Sequence, residues 1–225
     1  MFLMVFSYLP LLTLPVVLFI SPNIVVFSAV PTDTNFTCSA GSPPSCRTYL
    51  TYRARSPYMD LGNVSDLFGI SRLSIAEATN LTSETEKLQY DQLLLIPITC
   101  SCNQNRYFSN VTYPIKKGDS FYFVASFVFQ NLTDYHVVED MNPTLNPINL
   151  TVGEPVVFPL QCKCPARDQN LIITYVWQPE DEILSVSSMF NTSSYDIAKE
   201  NSFRNFTAAI CLPVLIPEKR SWKQP

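Results

Sequence analysis

The chain has 225 residues, seven cysteines, one histidine and a formal net charge of −4 at pH 7. Binding to DNA or RNA rests on neutralising phosphates, so an acidic chain without a long basic run excludes nucleic acid as a partner. A single histidine, His136, offers one base for a Ser/His or Cys/His triad and no recognisable nucleophile beside it.

From the amino terminus, the first charged residue is Asp33, and everything before it is apolar or small. Residues 1–28 read as a secretory signal peptide. A membrane-spanning helix is the poorer reading, because Pro10 and Pro15 break the run of about 20 helical residues that a bilayer needs. Export is supported independently by eight Asn-x-Ser/Thr acceptor triplets, at Asn35, Asn63, Asn80, Asn110, Asn131, Asn149, Asn191 and Asn205, which mark surface glycosylation positions of a secreted chain. Residues 29–47 follow as a Pro/Ser/Cys-rich leader without helical or strand period, an extended tether pinned by Cys38 and Cys46.

The rest of the chain repeats itself. A tyrosine opens a strand-like run at Tyr52, Tyr113 and Tyr175, and an apolar run closes around Pro97, Pro159 and Pro217. The tyrosines are spaced 61 and 62 residues apart and the prolines 62 and 58. A period of this length signals an array of small domains, here 48–98, 111–160 and 172–217, with a short tail, 218–225. In the first unit, VSDLFGI and SIAEATN carry apolar residues at helical spacing and QLLLIPI is strand-like. Ser65 and Ser74 fit as N-caps, with Asp66 and Glu77 near the first turns. The third unit repeats the order as TYVWQ, ILSVSSMF, YDIAKEN and PVLIP. The predicted class is α+β: three tandem βααβ modules, each a two-stranded antiparallel sheet against two helices. The closing prolines suit strands whose missing amide faces outward.

Two segments, CSCNQNRYFSN and CKCPARDQN, read as joints between units. A Cys-x-Cys cannot comfortably close on itself, so Cys100, Cys102, Cys162 and Cys164 must reach elsewhere. The expected result in an oxidising compartment is a knot linking leader, first joint and second joint. Zinc is the rival, but its ligand pairs usually stand farther apart in sequence; no metal and no cofactor are expected. Cys211, in the run AAICLPVLIP, reads as a buried free thiol acting as a small hydrophobe, with intermolecular pairing as its alternative.

The motifs YPIKKGDSFYFVA, NLT, DMNP and VVFP, the CSC and CKC joints, and stretches such as SPPSCRTYLTY, LSIAEATN, CNQNRYFSNVTY and IITYVWQPED together resemble the LysM array of plant LysM receptor-like kinases, most of all the Nod-factor-receptor type. The resemblance covers residues 35 to 217. It implies disulfides Cys38–Cys102, Cys46–Cys164 and Cys100–Cys162, with no counterpart for Cys211. It implies ligands made of β-1,4-linked N-acetylglucosamine, either chitin oligosaccharide or lipo-chitooligosaccharide, and a second LysM receptor kinase as partner. It places the sugar between the loop after the first strand and the loop before the last strand of the second module: Lys117, Gly118, Asp119, Ser120, Phe121, Tyr122 and Phe123 on one side, Leu145, Asn146, Pro147, Ile148, Asn149, Leu150 and Thr151 on the other.

The residue chemistry suits this. Gly118 permits close backbone approach, loop amides can hydrogen-bond an N-acetyl carbonyl, and apolar groups can cover its methyl. Leu145, Ile148 and Leu150 either pack on the module's own helices or form an exposed patch for an acyl chain. The triplet at Asn149 is awkward there, since a glycan would shield the groove.

An enzyme is the first rival function. Glycoside cleavage needs two carboxylates flanking the bond, whereas Asp119, Glu139, Asp140, Asp181 and Glu182 read as caps or solvated faces, and no catalysis is expected. A second rival is a soluble secreted chitin-binding LysM protein without signalling; a remnant of a chitin or peptidoglycan hydrolase is weaker. The signal peptide and the acceptor triplets set the expected place as the secretory pathway, then the extracellular face of the plasma membrane for a receptor or the outside of the cell for a secreted binder.

Overall fold

A computed structural model describes residues 36–166, 171–202 and 205–218. The signal peptide, the first part of the leader with Asn35, and the end of the tail lie outside the described residues. Module 1 comprises β1 (Ser45–Arg53), α1 (Leu61–Phe68), α2 (Arg72–Thr79) and β2 (Leu93–Asn103). Module 2 comprises β3 (Arg106–Pro114), α3 (Phe121–Phe123) running into a π-helical turn (Val124–Val128), α4 (Tyr135–Met141) and β4 (Pro155–Gln161). Module 3 comprises β5 (Leu171–Val176), α5 (Ile183–Met189), α6 (Ser194–Glu200), a 3-10 turn (Phe206–Ala209) and β6 (Pro213–Glu218). The class is α+β, three βααβ modules cross-linked by disulfides.

Helix starts follow side-chain capping, but one turn earlier than expected in module 1. Asp60 accepts from the Asn63 amide at 2.9 Å and Ser71 from the Ser74 amide at 3.1 Å, so Asp60 and Ser71 are the N-caps, not Ser65 and Ser74. Asp66 and Glu77 consequently fall in last turns. Each helix ends in a left-handed residue, Gly69 at φ 66° and Asn80 at φ 59°, the conformation that lets a helix carbonyl find its last donor.

The three strand pairs do not stay separate. They join edge to edge into one six-stranded sheet of order β4-β3-β2-β1-β5-β6, which corrects the expectation of isolated two-stranded sheets. The supposed first joint is itself strand: β2 continues through Cys100 and Cys102, and β3 begins at Arg106. Only Gln104 and Asn105 turn, at φ 49° and 67°, the paired positive values of a tight hairpin matched to strand twist. Modules 1 and 3 meet through a short parallel pairing, Tyr49 with Ile173 and Leu50 with Thr174. The prolines still sit where an amide is dispensable. Pro159 and Pro217 lie on the two outer strands, and Pro97 faces Tyr49 on one side, while β3 reaches β2 only at Ser101–Asn103.

Three disulfides hold this arrangement: Cys38–Cys102, Cys46–Cys164 and Cys100–Cys162, with Cα separations of 6.0, 5.6 and 5.9 Å. Cys46 and Cys100 are register partners across β1 and β2, so two bridges leave the sheet side by side toward the end of β4. The sulfurs of Cys46, Cys100 and Cys164 lie within 4.8 Å of one another, but all are committed to disulfides and offer no thiolate to a metal. Closing loops of 118, 64 and 62 residues restricts the unfolded chain by about 4–5 kcal/mol each in the chain-entropy account.

Polar contacts lock the modules further. The Arg53 amide donates to Gln130 Oε1 at 3.1 Å and Gln130 Nε2 donates to the Arg53 carbonyl at 2.7 Å. The guanidinium of Arg53 reaches Asp91 at 2.9 Å and the Tyr175 hydroxyl at 3.0 Å, so one residue touches all three modules. Tyr52 donates to the Val128 carbonyl at 3.1 Å. Val128 is the last residue of the π-helical turn, so its carbonyl lies at a helix end, where no further turn supplies a donor.

One hydrophobic core runs through modules 1 and 2, along ring contacts from Tyr52 to Phe68 at 5.1 Å, Phe68 to Phe129 at 6.0 Å and Phe129 to Phe158 at 5.1 Å. Module 3 has its own core around Tyr175, Trp177 and Phe190. Within modules 2 and 3 a buried asparagine staples the second helix to the last strand. Asn142 donates to the carbonyls of Val138 and Val157 and accepts from the Val157 amide. Asn201 does the same with Ile197 and Leu215. Module 1 uses Thr79 instead, accepting from the Leu95 amide at 3.0 Å.

The repeat-opening tyrosines, Tyr52, Tyr113 and Tyr175, are 1, 4 and 1 % exposed. Burial pushes all three hydroxyls well above the ordinary tyrosine range, assisted by the neighbouring Tyr58, Asp119 and Asp181 respectively. The fold therefore keeps protons that the unfolded chain releases near pH 10. Their contribution is whole below that pH and is lost as pH rises beyond it, by about 1.4 kcal/mol per pH unit for each tyrosine. Denaturant titrations from about pH 8 to 11 should show this decline, with Tyr113→Phe reducing its slope; a stability independent of pH above 10 would contradict it. Separately, Asn142→Leu leaves the Val157 amide and carbonyl without their partner and should cost about 2–4 kcal/mol, read as a lower thermal midpoint; an unchanged midpoint would remove the staple.

Candidate functional site

Each module brings its first loop against its last. In module 2, Gly153 donates to the Ile115 carbonyl at 2.7 Å and Ile115 donates to Glu154 at 3.0 Å. Module 3 repeats this with Cys211 donating to Trp177 at 2.8 Å and Trp177 to Leu212 at 3.1 Å, and module 1 with Asp91 to Ala54 at 2.8 Å and Ala54 to Gln92 at 2.9 Å. Asp91, Gly153 and Cys211 hold φ values of 64°, 86° and 60°. Cys211 thus fills the left-handed corner that module 2 gives to glycine, and this turn carries its thiol outward. It is exposed, which corrects the expectation of a buried hydrophobe.

The first loops of modules 2 and 3 share a second device. Asp119 accepts from the Lys116 amide at 2.8 Å and Asp181 from the Gln178 amide at 2.7 Å. Tyr175 donates to Asp181 at 2.7 Å, and Asp119 faces the Tyr113 hydroxyl. In module 1 the same offset from the opening tyrosine holds Tyr58, which is buried, lies edge-on to Tyr52 at 6.3 Å and carries the Lys116 ammonium 5.7 Å above its ring. Module 1's first loop is therefore packed against module 2.

The fourteen residues expected to line the module 2 groove divide into two groups. Lys117 and Gly118 are exposed on their turn, with Gly118 at φ 90°, and Tyr122 and Phe123 are exposed on α3. Asn146, Pro147, Ile148, Asn149 and Thr151 are exposed on the opposite loop, Ile148 being 92 % exposed. The others serve the fold. Asp119 holds the turn, Ser120 caps α3 by accepting from the Phe123 amide at 3.1 Å, and Phe121 is 2 % exposed, edge-on to Phe158. Leu145 and Leu150 are half-buried against the core, so of the two readings for these leucines the packing one holds, and Ile148 alone of the three stands bare.

Sequence reasoning missed Val152, which is exposed next to the groove, and Phe127, which is exposed and stacks on Phe123 at 5.2 Å. The signal that could have found Phe127 is its i, i+4 spacing from Phe123, which places both on one helix face. Asp119 and Asp181 are engaged in bracing their loops, and His136 lies on the surface with Nδ1 2.8 Å from Asp134. Among the cavities of the described residues, two lie close to these features. One, of about 430 Å³, lies behind the cysteine knot between Pro43, Tyr107, Lys163 and Ile172. The other, of about 360 Å³, is the groove of module 3 between Trp177, Asp181, Phe206 and Ile210.

Comparison with known proteins follows this modular order. Residues 45–103 match the family described as NFP/LYK LysM1 domain, 106–161 the NFP LysM2 domain and 171–217 the NFP LysM3 domain. The chain is 32 % identical over 193 residues to Protein LYK5 of Arabidopsis thaliana, an alignment covering 81 % of this chain and 29 % of that protein. It is 30 % identical over 175 residues to the LysM domain-containing GPI-anchored protein 2 of the same plant, covering 74 % and 49 %. Chitin elicitor receptor kinase 1 of Arabidopsis thaliana is 25 % identical over 133 residues, covering 56 % and 21 %. The chain thus spans less than half the length of these relatives. The fold is shared with the crystallised ectodomain of a receptor like kinase (TM-score 0.69, 20 % identity, 80 % of this chain and 94 % of that one) and with the LYK3 ectodomain (0.67, 18 %, 76 % and 89 %). With its modules matched in order by the first, second and third domains of one receptor type, the chain belongs to the plant NFP/LYK family of LysM proteins.

Proposed function

We propose that module 2 binds oligomers of β-1,4-linked N-acetylglucosamine outside the cell, and that the chain acts as the extracellular part of a receptor or co-receptor in symbiosis or defence, beside a second LysM receptor kinase. The observation that carries this reading is the pair of module 2 loops tied at Ile115, Gly153 and Glu154, which leaves the Lys117–Gly118 turn and the Asn146–Asn149 segment facing solvent. Lysine and backbone amides suit sugar hydroxyls and an acetamide carbonyl. One relative carries chitin recognition in its name, which supports the ligand class. An extracellular setting is supported by acceptor asparagines that are exposed at Asn63, Asn80, Asn110, Asn191 and Asn205 and half-buried at Asn131; we assign glycans to these positions and leave Asn149, exposed in the module 2 groove, unmodified so that the groove stays open.

Between chitin oligosaccharide and lipo-chitooligosaccharide, exposed Ile148 and Val152 favour a ligand that brings an acyl chain. Unlike Leu145 and Leu150, they can be changed without opening the core. Calorimetry on the glycosylated, disulfide-intact protein should show binding of N-acetylated but not unacetylated oligomers. Ile148→Asp combined with Val152→Asp should weaken a lipidated oligomer about tenfold or more, the contribution of burying a few methylenes, while chitin oligomers change little. Equal loss for both ligands removes the acyl site, and no preference for N-acetylated sugar removes the function.

A further inference from the structure

We propose that the module 3 groove is occupied by this chain's own carbohydrate, an N-linked glycan on Asn205. The groove of about 360 Å³ is lined by Trp177, Phe206 and Ile210, with Glu182 at its edge, and Asn205 and Thr207 belong to its wall. Phe206 is half-buried and lies 4.5 Å, ring to ring, from Trp177, which is buried in the module 3 core, so the Phe206 ring, backed by Trp177, is the face on which the apolar side of a sugar rests. Asn205-Phe206-Thr207 is an acceptor triplet, and both its asparagine and its threonine are exposed. The Asn205 side chain accepts from the Thr207 amide at 3.0 Å through Oδ1, which leaves Nδ2 as the atom for the glycosidic bond. In the secretory pathway that nitrogen loses a proton and bonds the anomeric carbon of N-acetylglucosamine, and the lipid diphosphate that carried the sugar departs.

An N-linked glycan begins with two β-1,4-linked N-acetylglucosamines, the repeating unit of the ligand proposed for module 2. The inference rests on that reading of such grooves. Tethering at the wall supplies this disaccharide at an effective concentration in the millimolar range, so even weak affinity keeps the groove filled. The sugar rings lie on Phe206 and Ile210, and a ring hydroxyl donates to Glu182. Module 3 is thereby closed to free oligomers while module 2 stays open.

The test compares the secreted full chain with Asn205→Gln and Thr207→Ala, which both lose the acceptor, and with Thr207→Ser, which keeps it and controls for local folding. Peptide mass mapping should find a glycan on Asn205 in the wild type and in Thr207→Ser. Amide exchange in residues 177–183 and 205–212 should be about twofold to tenfold faster in the two acceptor-less variants, and each should bind one more equivalent of chitin oligomer than the wild type. An unmodified Asn205, or loop exchange equal in all four proteins, overturns the proposal. Because exchange needs no added ligand, slow loops in a wild type that binds no oligomer uphold the glycan contact and remove the module 2 function instead.

Discussion

Two disulfides standing side by side, Cys46–Cys164 and Cys100–Cys162, are the constraint from which the rest of the molecule follows. Cys46 and Cys100 are opposite each other on β1 and β2, so the pair anchors the central hairpin to the chain leaving β4. Once that anchor holds, β3 can turn back from β2 through two residues, β4 pairs outside it, and β5 emerges where it can lie along β1. A module of roughly 50 to 60 residues buries too little surface to be secure alone. Merging three into one sheet, with Arg53 bonded to each, lets modules 1 and 2 share one apolar core.

That merger makes the modules alike in scaffold and unlike in exposed chemistry. All three keep the left-handed corner at the last loop, but they fill it with Asp91, Gly153 and Cys211. Two keep the tyrosine–aspartate pair that braces the first loop, whereas module 1 places Tyr58 there and packs it against module 2. The consequence for function is a division of roles. Module 1 has given its first loop to the interface, module 2 presents lysine, glycine and a bare isoleucine, and module 3 presents an aromatic groove beside a glycan acceptor.

Much of this was legible in the sequence because it is local or periodic. The tyrosine and proline spacing exposed the three units, helical and alternating apolar patterns gave the βααβ order, and the cysteine pairs demanded distant partners. The disulfide pairing, which spacing left open, came through resemblance to the LysM family and matches the structure. Less legible was the candidate site. A stretch such as KGDSFYF reads as one loop, yet its backbone alternates between solvent and core. Asp119, Ser120 and Phe121 turn inward to brace, cap and pack, while Lys117, Gly118, Tyr122 and Phe123 face outward.

By itself, then, the sequence determined the repeat, the class of each module, the covalent knot's membership and the family, because each depends on residue types at short or regular separations. Only the tertiary structure decided that the sheets fuse, that Leu145 and Leu150 pack inward while Ile148 does not, and that Cys211 is exposed. Those outcomes depend on which surfaces meet when modules 60 residues apart in sequence share a core, and no local pattern encodes the far side of such a contact.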